Sequence, residues 1–230
     1  MADVPIDDEA HLVEVLDFLG QELEPSILIG GWATVHRVGG EISHDIDLII
    51  ASHEVRQQLE ATLTGLSKSS HLQGTKWRGE FDGIHVDVYI PHQSQLGGKL
   101  RLRVEELAKH TDELGHGAWR LLTIEAHTIS KMAALLDRPD TEKGAKDARE
   151  ILRLLDKGVD ARVACEILAS ATAGPAQDLP GHVAKLFDLI GPRAKPSKTQ
   201  QKALQSWRRE WNAAIKTAIA PQERARPELT

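Results

Sequence analysis

One stretch, from residue 27 to residue 50, constrains the fold of this chain more than any other. It contains an Ile-Leu-Ile run at 27–29, the pair Gly30-Gly31, and the run Asp-Ile-Asp-Leu-Ile-Ile at 45–50. Successive residues of a strand point to opposite faces, so Asp45 and Asp47 share one face and their apolar neighbours share the other. The pattern predicts two strands, joined through a glycine turn and a short helix.

The two carboxylates of this stretch indicate a cation. On one strand face they lie roughly 6–7 Å apart and repel each other unless a cation or solvent lies between them. Mg²⁺ binds a few carboxylates together with substrate phosphates, so the pair suits it. The Gly30-Gly31 turn lets backbone N–H groups approach a phosphate at the start of a helix, where anions are favoured. Together these features predict a site that handles a nucleotide.

Composition excludes several classes of protein. A chain of 230 residues with a single cysteine, Cys165, has no disulfide framework and no cysteine-rich zinc site, which predicts a reducing compartment. Its longest apolar runs are too short to span a bilayer, and its first residues are acidic where a signal peptide would be basic. We therefore expect a cytoplasmic protein that does not enter a membrane.

Charge is unevenly distributed along the chain. The formal net charge is −6, yet residues 193–230 carry nine Lys and Arg against three Asp and Glu. A basic segment of this kind can neutralise phosphates. It can equally dock onto the acidic remainder of the chain, and from the sequence alone we favour that second interpretation slightly.

The first half of the chain alternates helical and strand patterns. A β-hairpin is predicted over 75–81 and 84–90, around the turn Asp82-Gly83. In its second arm, Asp87 lies on the face opposite the apolar residues and becomes the candidate for a third carboxylate. Helices are predicted over 8–22, 32–38 and 54–66.

After a linker at 91–98, the pattern becomes helical. The predicted helices span 102–114, 124–136, 143–157, 161–170, 182–190 and 198–218. The sequence thus predicts an α+β protein. Residues 1–95 would form a domain with a small mixed sheet flanked by helices, and residues 96–230 a helical domain with a basic C-terminal segment.

The glycine pair and the acids resemble the motif of the DNA polymerase β-type nucleotidyltransferase superfamily. In that motif Gly-Gly or Gly-Ser follows an apolar residue and precedes Asp-x-Asp by about a dozen residues; here thirteen residues separate Gly31 from Asp45. The resemblance implies a nucleotidyltransferase fold for residues 1–95. It also implies that Asp45, Asp47 and Asp87 are catalytic ligands of two Mg²⁺ ions, and that Gly30 and Gly31 bind the phosphates of an NTP.

A second resemblance lies in the helical half. Lys131 begins an apolar run, Arg138 follows, and Lys146-Asp147 precedes Glu150. This order is similar to the lysine and aspartate motifs of AbiEii-like nucleotidyltransferases, which include the MenT-type toxins. It implies that Lys131, Arg138 and Asp147 belong to the nucleotide site. The chain departs from that family at Glu41, where an arginine is usual.

The resemblance implies a toxin that adds nucleotides to the 3′ end of tRNA and is countered by a cognate antitoxin. A different acceptor is also open, because Gly-Gly-Trp-Ala followed by His-Asp-x-Asp resembles aminoglycoside nucleotidyltransferases. Nucleotidylation of a protein, or nucleotide binding without turnover, are further alternatives. Structural interpretations compete as well: Lys131 can reach solvent from an apolar helix, and Asp147 can pair with Lys143 one turn away. We expect Trp207 and Trp211 to face the core.

Overall fold

The structure is a computed structural model that describes residues 8–23, 26–50, 53–69, 76–112 and 119–224. Within these residues the helices are α1 (Asp8–Glu22), α2 (Gly30–Val38), α3 (His53–Thr62), α4 (Val104–Leu107), α5 (Ile124–Asp137), α6 (Glu142–Lys157), α7 (Ala161–Ala171), α8 (Leu179–Ala194) and α9 (Lys198–Arg224). The strands are β1 (Ser26–Ile29), β2 (Asp45–Ile50), β3 (Thr64–Ser69), β4 (Lys76–Phe81), β5 (Ile84–Tyr89), β6 (Gln95–Leu96), β7 (Leu102–Arg103), β8 (Thr111–Asp112) and β9 (Arg120–Leu122).

Seven of the described strands form one mixed sheet in the order β3-β4-β5-β2-β1-β9-β8. The central strand β2 runs antiparallel to β1 and parallel to β5. This register places Asp47 beside Ile29 on one side and beside Asp87 on the other. Strands β6 and β7 pair separately.

The two faces of the sheet are covered by different layers. One face buries Leu28, Leu48 and Val86 against the helices α1 and α3. The other face buries Ile29 and Ile49 together with the helices of the second half of the chain. Asp45 and Asp47 have the parity of Ile49 along β2, so they lie on the face that the helical half covers. This places the helices of the second half over the two acids.

The α+β class and the helical C-terminal half are confirmed. The predicted helix over 8–22 is α1, and the predicted hairpin is β4 and β5 around Asp82-Gly83, whose φ angles are 48° and 80°. Thr75, the first residue of that predicted hairpin, lies outside the described residues. Trp211 is buried, and Trp207 packs against the same core, as expected.

Two predicted helices are wrong in part. The helix expected over 54–66 ends at Thr62, and the chain continues as β3, which pairs with β4. Gly65 has φ +62°, a conformation outside the helical region, and pairing with a distant strand then determines the local structure. Of the helix expected over 102–114, the described residues form the strand β7, the single turn α4 and the strand β8, while residues 113 and 114 lie outside the described part of the chain.

The division of the chain after residue 95 stays a prediction. In the structure β8 and β9, which follow that position, complete the sheet beside β1. The predicted linker at 91–98 contains β6. No helix in the described parts of the chain combines the length and the apolar character that crossing a membrane requires.

Candidate active site

The two acids of β2 lie at the start of that strand, beside the glycine turn. Asp45 and Asp47 are half-buried, whereas Ile46 between them is fully buried. Their strand is held in the centre of the sheet by β1 and β5, so both side chains are fixed on one face. Lys143 Nζ approaches Asp45 Oδ2 to 3.6 Å from α6. The structure therefore places the predicted acid pair on the sheet face that the helical half covers.

Gly30 is in direct contact with Asp47. Its φ is +69°, and a Cβ atom at this position would lie 2.2 Å from Asp47 Oδ2 and 2.9 Å from its Cγ. Only glycine fits both the backbone conformation and the available space. Helix α2 begins at Gly30, and Ile29 at its N-cap forms no side-chain hydrogen bond with it. The uncapped start of α2 consequently adjoins the carboxylate of Asp47, as the sequence predicts for a phosphate cradle.

The first turn of α2 is fixed from below. Thr34 is completely buried, donates a hydrogen bond to the Gly30 carbonyl at 3.1 Å, and lies 2.8 Å from His127 Nε2. Burial holds the pKa of His127 well below its ordinary value, and the nearby charges of Lys131 and Arg37 lower it further. A neutral histidine thus braces the glycine turn against α5. Thr34, which is completely buried, therefore has a structural role.

The carboxyl of Asp47 is electrostatically strained. Burial raises its pKa from 3.8 to about 6, and the charge of Asp87 on the neighbouring strand adds to that effect. Burial also raises the pKa of Tyr89 well above its ordinary value, with Asp47 and Asp87 again contributing. A divalent cation at Asp47 would relieve this repulsion, so the residues present fit the cation that the sequence implies.

Asp87 lies beside Asp47 in the sheet but is already paired. Arg78 Nε donates to its Oδ1 at 2.6 Å and Arg78 Nη2 donates to its Oδ2 at 2.8 Å, while Lys76 also donates to Oδ2. Burial alone would raise the pKa of Asp87, but the hydrogen bonds from Arg78 and Lys76 outweigh burial and lower it. No group of three or more His, Cys, Asp or Glu side chains within the described ranges is arranged to hold a metal ion.

The two predicted nucleotide-binding cations, Lys131 of α5 and Arg138 directly after it, form ion pairs with acids of α6. Lys131 Nζ lies 3.2 Å from Asp147 Oδ1 and 2.5 Å from Glu150 Oε2. Arg138 contacts both oxygens of Asp147, at 2.8 and 3.1 Å. Burial alone would lower the pKa of Lys131, but its two acidic partners outweigh burial and raise it. Lys131 therefore stays charged although it is only 6% exposed. Asp147 positions two cations and pairs with neither Lys143 nor solvent.

Lys146 brings a further cation to the glycine turn. Its Nζ donates to the carbonyl of Ile42 at 2.9 Å, and it would lie 3.7 Å from a Cβ placed on Gly31. The same Cβ would lie 2.6 Å from Ser43 Cβ and 3.0 Å from Ser43 Oγ, so residue 31 has no room for a side chain. A hydroxyl and an ammonium group thus stand beside the turn, although both come from other parts of the chain.

Glu41 has a clear partner. Arg149 Nη2 lies 2.6 Å from Glu41 Oε1, and Arg149 Nε donates to the same oxygen at 2.8 Å. The acid that stands where the AbiEii-like pattern has arginine therefore ties the loop before β2 to α6. Its effect is on loop position, since its charge is neutralised by Arg149.

Sequence reasoning missed Lys76 and Arg78. A signal for them was present, because the two-residue turn at Asp82-Gly83 sets the register of the hairpin. That register places Phe81 opposite Ile84 and, three pairs further along, Arg78 opposite Asp87. Gly30, Asp47 and Asp87 lie side by side in neighbouring elements. Five of the predicted site residues form ion pairs in the structure: Asp45, Asp87, Lys131, Arg138 and Asp147. Their roles in nucleotide and metal binding stay predictions.

Comparison with known proteins gives similarity in structure only. No family model matches the sequence, and no curated protein matches it. A solved structure of ANT(2″)-Ia in complex with adenylyl-2″-tobramycin is 18% identical, with a TM-score of 0.49, over 70% of this chain and 95% of that one. An antigenic nucleotidyltransferase-like protein from Paracoccidioides brasiliensis is 15% identical, with a TM-score of 0.49, over 86% and 91%.

A third solved structure is the CCA-adding enzyme of Thermotoga maritima complexed with tRNA. It is 10% identical, with a TM-score of 0.31, over 92% of this chain and 71% of that one. All three chains share fewer than a fifth of their aligned residues with this protein.

Proposed function

We propose that this protein is a nucleotidyltransferase that moves NMP from an NTP to an acceptor hydroxyl. The observation that carries the proposal is the contact of Gly30 with Asp47, which places the uncapped start of α2 against a carboxylate pair. A triphosphate at the glycine turn would thereby reach a cation held by Asp45 and Asp47. Attack at the α-phosphorus depends on such positioning and charge neutralisation more than on a covalent intermediate.

Mg²⁺ is the cation that these residues suit, because carboxylates and phosphate oxygens are its preferred ligands. Asp45 and Asp47 would hold it, and Asp87 joins them only if Arg78 and Lys76 release its carboxylate. The two ions expected from the sequence stay a proposal. Bound Mg²⁺ would supply charge neutralisation on the phosphates and would lower the pKa of the acceptor hydroxyl.

The chain's own groups would hold the triphosphate. The backbone N–H groups of Gly30 and Gly31 are free of a side-chain cap, and Lys146 stands beside them. Lys131 lies close enough to Asp47 for its charge to lower the pKa of that carboxyl. Asp47 in turn lies close enough to Arg138 to raise the pKa of the guanidinium. Because Asp147 fixes both cations, it would contribute to nucleotide binding indirectly, by orienting them. The pre-formed cluster costs little reorganisation when the nucleotide arrives.

The acceptor we propose is the 3′ end of an RNA, with tRNA as first candidate. Helix α9 supports a polyanionic acceptor: it buries Leu204, Trp211 and Ile215 and leaves its basic face in solvent. That face carries the exposed cations Lys198, Lys202, Arg209 and Lys216. At 100° per residue these four lie within about 40° of each other, along roughly 27 Å of helix.

Helix α9 packs on the body through its apolar face, whereas most of its exposed cations are not paired with the described acids of the body. Among the described residues, Arg208 pairs with Asp188 at 2.8 Å and Arg193 pairs with Asp140. No described carboxylate forms an ion pair with the four exposed cations of α9. The AbiEii-like and MenT-like resemblance adds that such an enzyme would be the toxin of a toxin–antitoxin system, acting in the cytoplasm and countered by a cognate antitoxin.

We expect Lys202→Gln combined with Arg209→Gln to weaken RNA binding and to reduce its salt dependence. Each lost phosphate contact lowers the slope of log affinity against log salt concentration by about 0.7–0.9. Fluorescence anisotropy with labelled tRNA between about 50 and 300 mM KCl measures both quantities. Lys185→Gln, an exposed lysine of α8, is the matched control and should leave the slope unchanged. Equal slopes for the wild type and the double variant would count against RNA.

Incubation with each α-³²P-labelled NTP, Mg²⁺ and total tRNA, resolved on a denaturing gel, tests the activity. A labelled tRNA band that the Asp47→Asn variant does not produce supports the proposal and identifies the nucleotide. Label on an aminoglycoside instead would favour the small-molecule alternative, and label on the protein itself would indicate protein nucleotidylation. Nucleotide binding with no transfer to any of these acceptors would leave only a nucleotide-binding protein.

A further inference from the structure

The β4–β5 hairpin forms a cluster of charges that the proposed function leaves unused. Arg78 stands directly opposite Asp87 in the hairpin, and Asp87 stands directly beside Asp47 in the sheet. The side chain of Asp87 is 4% exposed, whereas those of Arg78 and Lys76 are 40% and 24% exposed. A buried carboxylate therefore holds two cations that remain accessible from solvent.

The bonds within this cluster leave donors free for a further anion. A guanidinium has five N–H donors and an ammonium has three. Asp87 receives two from Arg78 and one from Lys76. Within these three residues one negative charge stands against two positive charges, and the charges of Asp45 and Asp47 also act on Arg78. No other described acid forms an ion pair with Lys76 or Arg78.

The position of the cluster in the sheet indicates which substrate it meets. Gly30 and the start of α2 lie at β1, on one side of β2, while Asp87 and Arg78 lie on β5 and β4, on its other side. If the triphosphate occupies the glycine turn, the β5–β4 side is left to the acceptor. In-line transfer requires the attacking and departing groups on opposite sides of the reacting phosphorus, which agrees with this placement.

Given the proposed nucleotidyl transfer, we propose that Asp87 anchors Arg78 and Lys76 as an anion clamp that holds the 3′-terminal phosphodiester of a polynucleotide acceptor. Asp87 is then a positioning residue, and the divalent cation is held by Asp45 and Asp47. Arg78 can give a phosphate two parallel N–H donors, the geometry that guanidinium offers to oxyanions. A polycationic acceptor such as an aminoglycoside would be repelled at the same place.

RNA binding tests the clamp, with one change made in the RNA and one in the protein. The probe is a fluorescein-labelled RNA oligonucleotide with a 3′ hydroxyl, and its matched form carries a neutral methylphosphonate at the last linkage. We expect the neutral linkage to weaken binding to the wild-type protein about tenfold, as loss of a charge-assisted hydrogen bond does. Arg78→Gln should weaken binding of the natural RNA by a similar factor, and its affinities for the two oligonucleotides should agree within twofold. Lys76→Gln should behave in the same way.

Two controls keep the result specific. Lys68→Gln, which removes an exposed cation from the neighbouring strand β3, should retain the tenfold preference for the natural linkage. NTP binding, measured by calorimetry, should change less than twofold in all variants, and circular dichroism reports whether each is folded. If Arg78→Gln does not fold, Lys76→Gln carries the test. A folded clamp variant that still prefers the natural linkage tenfold would overturn the proposal.

The outcomes also separate this inference from the proposed function. Loss of the preference for the natural linkage in the clamp variants, without any nucleotide transfer by the wild type, would sustain the clamp and refute the transferase. Transfer to RNA with the linkage preference unaltered by Arg78→Gln and Lys76→Gln would sustain the transferase and refute the clamp.

Discussion

Replacing Asp47 by asparagine is expected to abolish nucleotide transfer and, above pH 6, to make the metal-free protein more stable. The carboxylate of Asp47 would hold the cation that neutralises charge on the reacting phosphates, so transfer should fall by at least about 10²–10³-fold. Burial and the charges of Asp87 and Asp45 disfavour the same carboxylate, and the charges of Lys76 and Lys131 only partly offset them. An amide of the same shape removes the repulsion.

The sign of the stability effect follows from the pKa of Asp47. In the folded protein it is raised from 3.8 to about 6, so the folded state binds this proton more tightly than the unfolded state does. The free energy of unfolding of the metal-free protein therefore falls as the pH rises from about 4 to about 6, and it stays lower above that range. Asparagine should remove a penalty on the order of 1–3 kcal/mol at pH 7.5 and very little at pH 4.

Thermal unfolding of the wild type and the variant at both pH values, with EDTA present, measures this difference. Asp17→Asn, an exposed acid of α1, is the control and should change neither unfolding nor transfer. Addition of Mg²⁺ should stabilise the wild type and leave Asp47→Asn unaffected. If Asp47→Asn retained transfer, Asp47 would not belong to the active site. If it were less stable than the wild type at pH 7.5, the electrostatic explanation would be wrong.

The second large effect is expected at Gly30. Alanine there would adopt a φ of +69° and would place its Cβ 2.2 Å from Asp47 Oδ2. The backbone strain costs on the order of 1–3 kcal/mol. The clash must additionally turn the Asp47 carboxylate away or shift the start of α2, and a displacement of about 1 Å can lower the rate about 10²-fold. Loss of transfer should therefore exceed what the loss of stability explains.

Gly65 provides the matched comparison. Its φ is +62°, yet a Cβ there would have no atom within 4 Å, so Gly65→Ala tests the backbone strain without the clash. We expect Gly65→Ala to lose stability and to retain transfer at a temperature where both variants are folded. Urea unfolding gives the stability of each, and single-turnover transfer gives the rate. If Gly30→Ala and Gly65→Ala retained nucleotide transfer equally, the glycine turn would have no role in catalysis.

Local patterns in the sequence predicted much of the fold. The periodicity of residues 8–22 gave the bounds of α1, and the alternation along β2 placed Asp45 and Asp47 on one face, as the structure has them. The turn Asp82-Gly83 predicted the hairpin. These features succeed because a short-range pattern of apolar residues, glycine and turn residues specifies the backbone of its own segment.

The partners of the charged residues were decided by the tertiary structure. Asp147 pairs with Lys131 of α5 and with Arg138, which follows that helix, although Lys143 lies one turn away on its own helix. The chain after residue 62 becomes β3 because β4 offers it an edge for pairing. The sequence by itself determined which faces carry acids, glycines and cations. Only packing of separate elements decided which of these meet, since ion pairs and strand pairs between distant segments depend on a geometry that no local period encodes.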